Sequence, residues 1–343
     1  MGDSILRDVI ELFRSEDSFA PADAASVLDA LILELDKSIL AELFRAWNEK
    51  GIEENEIYYI AKIMRERCVK VVSEHKSFVD IVGTGGSRSK TFNVSTAAAF
   101  VVAGAGVAVA KHGNKAATSS SGSADVLSAL GIEPVVDAAT AERCLNEIGI
   151  CFMFAPNFHR LSPTLAKVRR GLGFPTIFNC VGPLCNPANA PHQLIGVWSE
   201  ELVPKMANAL ARLGTKKSWV VHGKDGLDEI SLSGPTLVAE VENGSVRSFE
   251  ISPSVFGIDT GTLNKFQAAT SDESALIIRE VLHDKIMQSE AAKIVLMNAA
   301  AAIHINGCDD VLASFHLASE SISSGNAGKK LEELADAMKP ETL

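Results

Sequence analysis

Residues 80–96 read DIVGTGGSRSKTFNVST, and this stretch limits what the chain can fold into more than any other. The β-branched run of Ile81 and Val82 meets GTGG without a gap, and an alanine-rich segment of helical texture begins near Ser95. Successive glycines let a backbone turn tightly and offer bare N–H groups, and the positive end of a following helix favours an anion. On the glycines alone, a plain tight turn fits as well as a phosphate cradle. Two common cradles are excluded by counting. The P-loop and the dinucleotide fingerprint both need glycine five residues after Gly83, and that position is Arg88.

The strand, loop, helix unit recurs. Short β-branched runs at 79–82, 107–110, 151–155, 194–198, 218–221 and 237–242 alternate with helical segments from about Ser95, Ser123, Glu201, Glu273 and Ala291. This is the pattern of an α/β fold, a mostly parallel sheet covered by helices, in which ligands sit at the carboxyl ends of strands. Asn243-Gly244 is a hairpin signal and predicts an antiparallel element over 237–251. Before the sheet, from residue 4 to about 72, apolar residues recur at helical spacing (Ile5, Val9, Leu12, then Val27, Leu28, Leu31) and predict a small module of about four helices.

Charge and cysteine usage narrow the function classes. Lys and Arg total 32 against 43 acidic residues, a net charge of −11 with no dense basic block. Nucleic-acid or anionic-membrane binding is disfavoured, because both rely on many cationic contacts to phosphates. The six cysteines form no CxxC pair, so scattered thiols in a reducing cytoplasm fit better than disulfides or a zinc site. The amino terminus lacks the basic start and apolar run of a signal peptide, and the apolar stretch 97–110 is too short and glycine-interrupted to span a bilayer.

Two further loops turn the glycine stretch into a candidate site. The strand ending near Ala110 leads into Lys111-His112-Gly113-Asn114 and on through TSSSGS to a helix for which Ser123 is placed as N-cap. A lone lysine is ordinarily solvated, but beside a phosphate cradle Lys111 becomes a charge partner for pyrophosphate. Asp228 and Glu229 follow the strand SWVVHG, and hard carboxylate oxygens beside a polyphosphate suit Mg²⁺.

DIVGTGG, FNVST, KHGN, SGSADVL, FAPNFH, KVRRGLG, TIFNCVGPLCNP and GLDEIS, in this order, resemble the anthranilate phosphoribosyltransferase family of tryptophan biosynthesis over the whole chain. The resemblance implies a homodimer whose subunit has a small helical domain over 1–72, joined by helices from about 163–180, and a large α/β domain over 73–343. It implies that 5-phosphoribosyl 1-pyrophosphate meets Gly83, Thr84, Gly85, Gly86, Ser87, Thr91, Asn93, Val94, Ser95, Thr96, Lys111, His112, Gly113, Asn114, Ser119 and Ser123. Anthranilate would meet Gly83, Asn114, His159 and Arg169, with Arg169 rather than Arg170 taking the carboxylate. Ser95, Asp228 and Glu229 would hold Mg²⁺. No residue is assigned as a catalytic base, since an aromatic amine loses its proton readily after attack.

Two segments depart from the family pattern. Ser87 stands where an acid is usual after GTGG, followed by Arg88 and Lys90, and Arg160-Leu161-Ser162-Pro163 replaces a Pro-Ala-Met pattern after the pocket histidine. The readings to weigh against transfer to anthranilate are transfer to another aromatic amine, a pyrimidine nucleoside phosphorylase-like enzyme and a degenerate nucleic-acid-binding relative. The last predicts a basic face, whereas the sequence has a pI of about 5.3.

Overall fold

The computed structural model describes residues 2–86, 91–116, 121–262, 267–283 and 289–339. β1 (Val79–Gly83) pairs in parallel with β2 (Val109–Gly113) on one side and with β4 (His192–Gly196) on the other. β3 (Ile150–Phe154) and β5 (Lys217–Gly223) extend the parallel part at its two ends. β6 (Thr236–Glu242) and β7 (Ser245–Ile251) add an antiparallel edge, giving the order β3-β2-β1-β4-β5-β6-β7. The chain therefore winds outward from β1 to β3 and resumes on the far side of β1 at β4. The carboxyl ends of β1 and β4 flank that reversal, where open α/β sheets leave a ligand crevice.

Alternate residues of β4, β5 and β6 feed two cores. Leu194, Trp219, Val221 and Val238 face one of them, with α5 (Val94–Gly104), α6 (Ser123–Ala129), α12 (Ser271–His283), α13 (Glu290–Ile305), α14 (Val311–Ser323) and α15 (Asn326–Ala337). Ile195, Val220, Ala239 and Val241 face the other. That second core holds the amino-terminal helices α1 (Gly2–Arg14), α2 (Ala24–Leu33), α3 (Lys37–Lys50) and α4 (Glu54–Arg67). A period of two along buried strands produces this division directly.

Between the strands lie α7 (Ala138–Arg143), α8 (Ala155–His159), α9 (Pro163–Gly171), α10 (Ile177–Leu184) and α11 (Leu202–Arg212). Ser162 caps α9 by accepting from the Leu165 N–H, and Pro163 opens its first turn, where a missing N–H costs nothing. Leu165, Val168, Ile177 and Phe178 of α9 and α10 are buried in the same core as α1–α4. Arg65 of α4 is half-buried and donates to the carbonyl of Leu184 at 2.5 Å and to Gln193 Oε1 at 3.3 Å, tying α4 to the sheet.

The turn at Asn243-Gly244 has φ of 49° and 82°, as a two-residue hairpin of type I′ requires. Two expectations shift. β2 begins at Val109 and runs through Gly113, so Lys111 and His112 are strand residues paired with Phe152 and Met153 and not part of a loop. The N-cap of α6 is Gly122, not Ser123. A Cβ at Gly122 would lie 2.4 Å from Ala116 N and Asn114 O, so a serine there has no room. Among the described residues, no helix is long and apolar enough to cross a membrane.

Candidate active site

A cavity of about 310 Å³ opens at the carboxyl ends of β1 and β2 and is walled by α4, α8, α9 and α10. Its floor is electrostatic. Lys111, 4% exposed, donates to the Ile81 carbonyl at 2.5 Å and sits 3.4 Å from Ser95 Oγ. Burial lowers its pKa, and Asp80 and Glu229 oppose that shift. Asp80 is fully enclosed. It accepts from the His112 N–H at 3.1 Å and from Asn186 Nδ2 at 2.8 Å, and burial pushes its carboxyl up to about 6.

Asp228 and Glu229 lie on the opposite wall of the floor. Gly196 ends β4 directly beneath them, and a Cβ there would come within 1.7 Å of the Asp228 carbonyl. A Cβ on Gly83 would lie 3.1 Å from Asp228 Oδ2, so both glycines are conditions for the close approach. Burial, with the neighbouring Asp228 adding to it, pushes Glu229 up to about 8, and Lys111 and the Ser95 N–H pull it back. Half-buried paired carboxylates of this kind are ready for a hard cation. Among the described residues, no group of three or more His, Cys, Asp or Glu side chains could hold a metal by itself. The pair with Ser95 thus fits Mg²⁺ only where a ligand's own oxygens complete the shell.

The second loop docks on the first helix start. Ala124 N donates to the Asn114 carbonyl at 3.2 Å, and Asp125 accepts from the N–H groups of both Ala116 and Gly122. Asn93 Oδ1 accepts from Ser121 Oγ at 2.9 Å and from Ser274 Oγ at 3.2 Å. Ser274, on α12 far along the chain, carried no signal in the sequence.

The other end of the cavity is apolar with two polar devices. Met64, Leu161, Ala166, Phe178 and Pro183 line it. Arg169 lies 5.0 Å above the Phe178 ring and donates from Nε to Thr176 Oγ1 at 3.1 Å and from Nη2 to Asn179 Oδ1 at 3.3 Å. Burial pulls its pKa down to about 10, and among the described residues no carboxylate pairs with it. Arg170 is exposed. His159, lone in the sequence, meets His112 with Nε2 to Nε2 of 3.2 Å. Burial holds His159 down at about 4 and His112 well below its ordinary value, and His159 Nδ1 is buried without a hydrogen-bond partner among the described residues.

The cavity thus gathers Gly83, Thr84, Gly85, Thr91, Asn93, Ser95, Lys111, His112, Gly113, Asn114, Ser123, His159, Arg169, Asp228 and Glu229. Gly86 is described but does not line it. Val94 and Thr96 do not reach it either. Flanking Ser95 on a helix that turns 100° per residue, they are carried round into the core, 1% exposed each. Ser87 and Ser119, with Arg88 and Lys90, lie outside the described residues. His222 and His304 are structural, bonded to the carbonyls of Val197 and Cys308.

Residues 75–328 match the glycosyl transferase family, a/b domain. The chain is 48% identical over 284 residues to the anthranilate phosphoribosyltransferase of Laribacter hongkongensis, covering 82% of each chain. Among solved structures, that of the anthranilate phosphoribosyltransferase of Thermus thermophilus superposes with a TM-score of 0.87 at 34% identity, covering 97% of this chain and 100% of that one. The Saccharomyces cerevisiae enzyme in complex with PRPP and Mg gives a TM-score of 0.87 at 30% identity over 98% of each chain.

Proposed function

The chain belongs to the anthranilate phosphoribosyltransferase family, and from that premise we propose how its own residues divide the work. The activity is transfer of the phosphoribosyl group of 5-phosphoribosyl 1-pyrophosphate (PRPP) to the amine of anthranilate, with Mg²⁺, in tryptophan biosynthesis. The observation that supports the division best is the contrast between the cavity's two ends. One has adjacent half-buried carboxylates and a buried lysine, and the other has a half-buried arginine that no acid answers among the described residues.

In this reading the loop of Gly83–Gly85 and the segment from Thr91 to Ser95 hold the donor, with Lys111 against the pyrophosphate. Asp228, Glu229 and Ser95 are the residues that would hold Mg²⁺. When bound, that ion neutralises charge on the pyrophosphate oxygens as the bond to ribose C1 breaks. Lys111 stands fixed on two oxygen acceptors before the reaction, so it stabilises the departing charge without reorganising. Arg169 takes the anthranilate carboxylate, and the apolar wall from Met64 to Phe178 holds the ring. Asn114, at the border of both ends, fixes the amine for attack on C1. The buried His112 and the half-buried His159 are neutral at working pH and add no positive charge beside the carbon where positive charge develops.

We also propose that residues 1–72 with α9 and α10 act as a small domain against the α/β body over 73–343. We further propose that the protein works as a homodimer through that domain, in the cytoplasm. Leu33 at the end of α2 and Leu35 just after it, 74% and 76% exposed, support a covered surface there. The free cysteines suit a reducing compartment. The purified chain with PRPP, Mg²⁺ and anthranilate should lower anthranilate fluorescence. No loss of fluorescence while PRPP binds would reject anthranilate as the acceptor.

A further inference from the structure

Asn179 joins the two ends of the cavity. It lies on the first turn of α10, where its Oδ1 accepts from the Thr176 N–H at 3.0 Å and from Arg169 Nη2 at 3.3 Å. Its Nδ2 donates to the Thr84 carbonyl at 3.1 Å. One edge of a single amide therefore faces the guanidinium and the other faces the glycine loop. Asparagine is suited to this because it carries an acceptor and a donor on one flat group. Aspartate would lose the donor and become a counter-ion for Arg169, and leucine would offer neither.

The consequence on the loop side follows from peptide geometry. The Thr84–Gly85 bond is trans, so the Thr84 carbonyl and the Gly85 N–H leave opposite edges of one plane. Pinning the carbonyl on Asn179 fixes the direction of that N–H, at a residue whose φ of 64° lies in the left-handed region. Thr84 N is itself held by the Gly196 carbonyl at 2.9 Å, so β4 fixes the peptide before Thr84 and Asn179 the one after it.

We propose that Asn179 is a positioning residue for both substrates. It orients Arg169 toward the acceptor carboxylate and the Thr84–Gly85 peptide toward the donor's pyrophosphate. The proposal rests on the assignment of the two ends made above. Removing the side chain should disturb both ends at once, an effect no residue confined to one end can have.

The test is steady-state kinetics on Asn179→Ala and Asn179→Ser with each substrate varied in turn, alongside Arg169→Ala. Calorimetric titration of magnesium pyrophosphate into each variant reports the donor end with no acceptor present. Both KM values should rise, each about three- to ten-fold, as expected for loss of one hydrogen bond, with kcat much less affected. Pyrophosphate binding should weaken by a similar factor, while Arg169→Ala raises the acceptor KM alone. Asn179→Ser keeps a hydroxyl for the Thr176 N–H, so the start of α10 survives in that variant if the alanine loosens it. A rise in one KM with the other unchanged would overturn the proposal, because Asn179 would then serve one end only. An unchanged acceptor KM in Arg169→Ala would overturn the assignment of the acceptor end and the proposal with it. That failure is distinguishable, since pyrophosphate binding would still weaken in the Asn179 variants.

Discussion

The donor and acceptor ends of the cavity are built on different principles. The donor end is mostly backbone: glycines at the ends of β1 and β4, helix starts at α5 and α6, and a lysine held by the Ile81 carbonyl and Ser95. The acceptor end is mostly side chain: Arg169 and Phe178 on helices that pack with α1–α4, and the pair of His112 on β2 and His159 on α8. A backbone cradle recognises an anion wherever one sits and tolerates little change in chain path. A side-chain pocket can be retuned residue by residue, and acceptor choice is the property such a pocket can vary most readily.

Mutations at the donor end should accordingly act on the chemical step. Lys111→Ala should lower kcat by roughly 10²–10³, the scale for removing one preorganised donor from a site of developing negative charge. Steady-state turnover at saturating substrates measures it, and a change confined to KM would place Lys111 outside the transition state. Gly196→Ala tests the backbone half of the comparison. Its Cβ would meet the Asp228 carbonyl at 1.7 Å, so Asp228 and Glu229 must move. Misplacement on that scale should cost about a hundred-fold in kcat/KM, with Mg²⁺ dependence shifted to higher concentration.

At the acceptor end the expected effect is smaller and falls on binding. Arg169→Ala should raise the acceptor KM roughly ten- to hundred-fold, the range for losing a charged hydrogen-bonded contact, and leave the donor KM in place. Unchanged acceptor kinetics would show that the carboxylate binds elsewhere.

The same contrast explains what the sequence made legible. GTGG, KHGN and GLDE announce themselves because strand, loop and helix are local patterns, and the glycine positions carry the meaning. The register of side chains was less visible. The family resemblance implies Val94 and Thr96 as donor-binding residues, but their side of α5 is set by packing on the sheet. Lys111 and His112 looked like loop residues, because nothing local shows that β3 pairs with them. Asn179, Asn186 and Ser274 act through partners 95 to 181 positions away in the chain, and only the fold brings those pairs together. The acceptor end was read through family resemblance, since Arg169 and His159 have no local signature of a pocket.

Acid titration separates the two ends by sign. His159, at the acceptor end, has its folded pKa held down at about 4 against an ordinary 6.5. The unfolded chain binds the proton first, so this group's share of stability is full above pH 6.5 and is lost as pH falls toward about 4. Asp80, at the donor end, is raised to about 6 from 3.8. The folded chain keeps a proton that the unfolded chain has released, so stability is lost as pH rises from 3.8 to about 6. The windows overlap, and the parent curve alone mixes them. Urea unfolding of the parent, His159→Gln and Asp80→Asn between about pH 4 and pH 7 resolves the two. The stability of the parent relative to His159→Gln should grow with pH, by on the order of 1 kcal/mol because His112 shares the titration. Relative to Asp80→Asn it should shrink over the same range. Two differences that slope the same way would mean that burial does not set opposite proton preferences at the two ends.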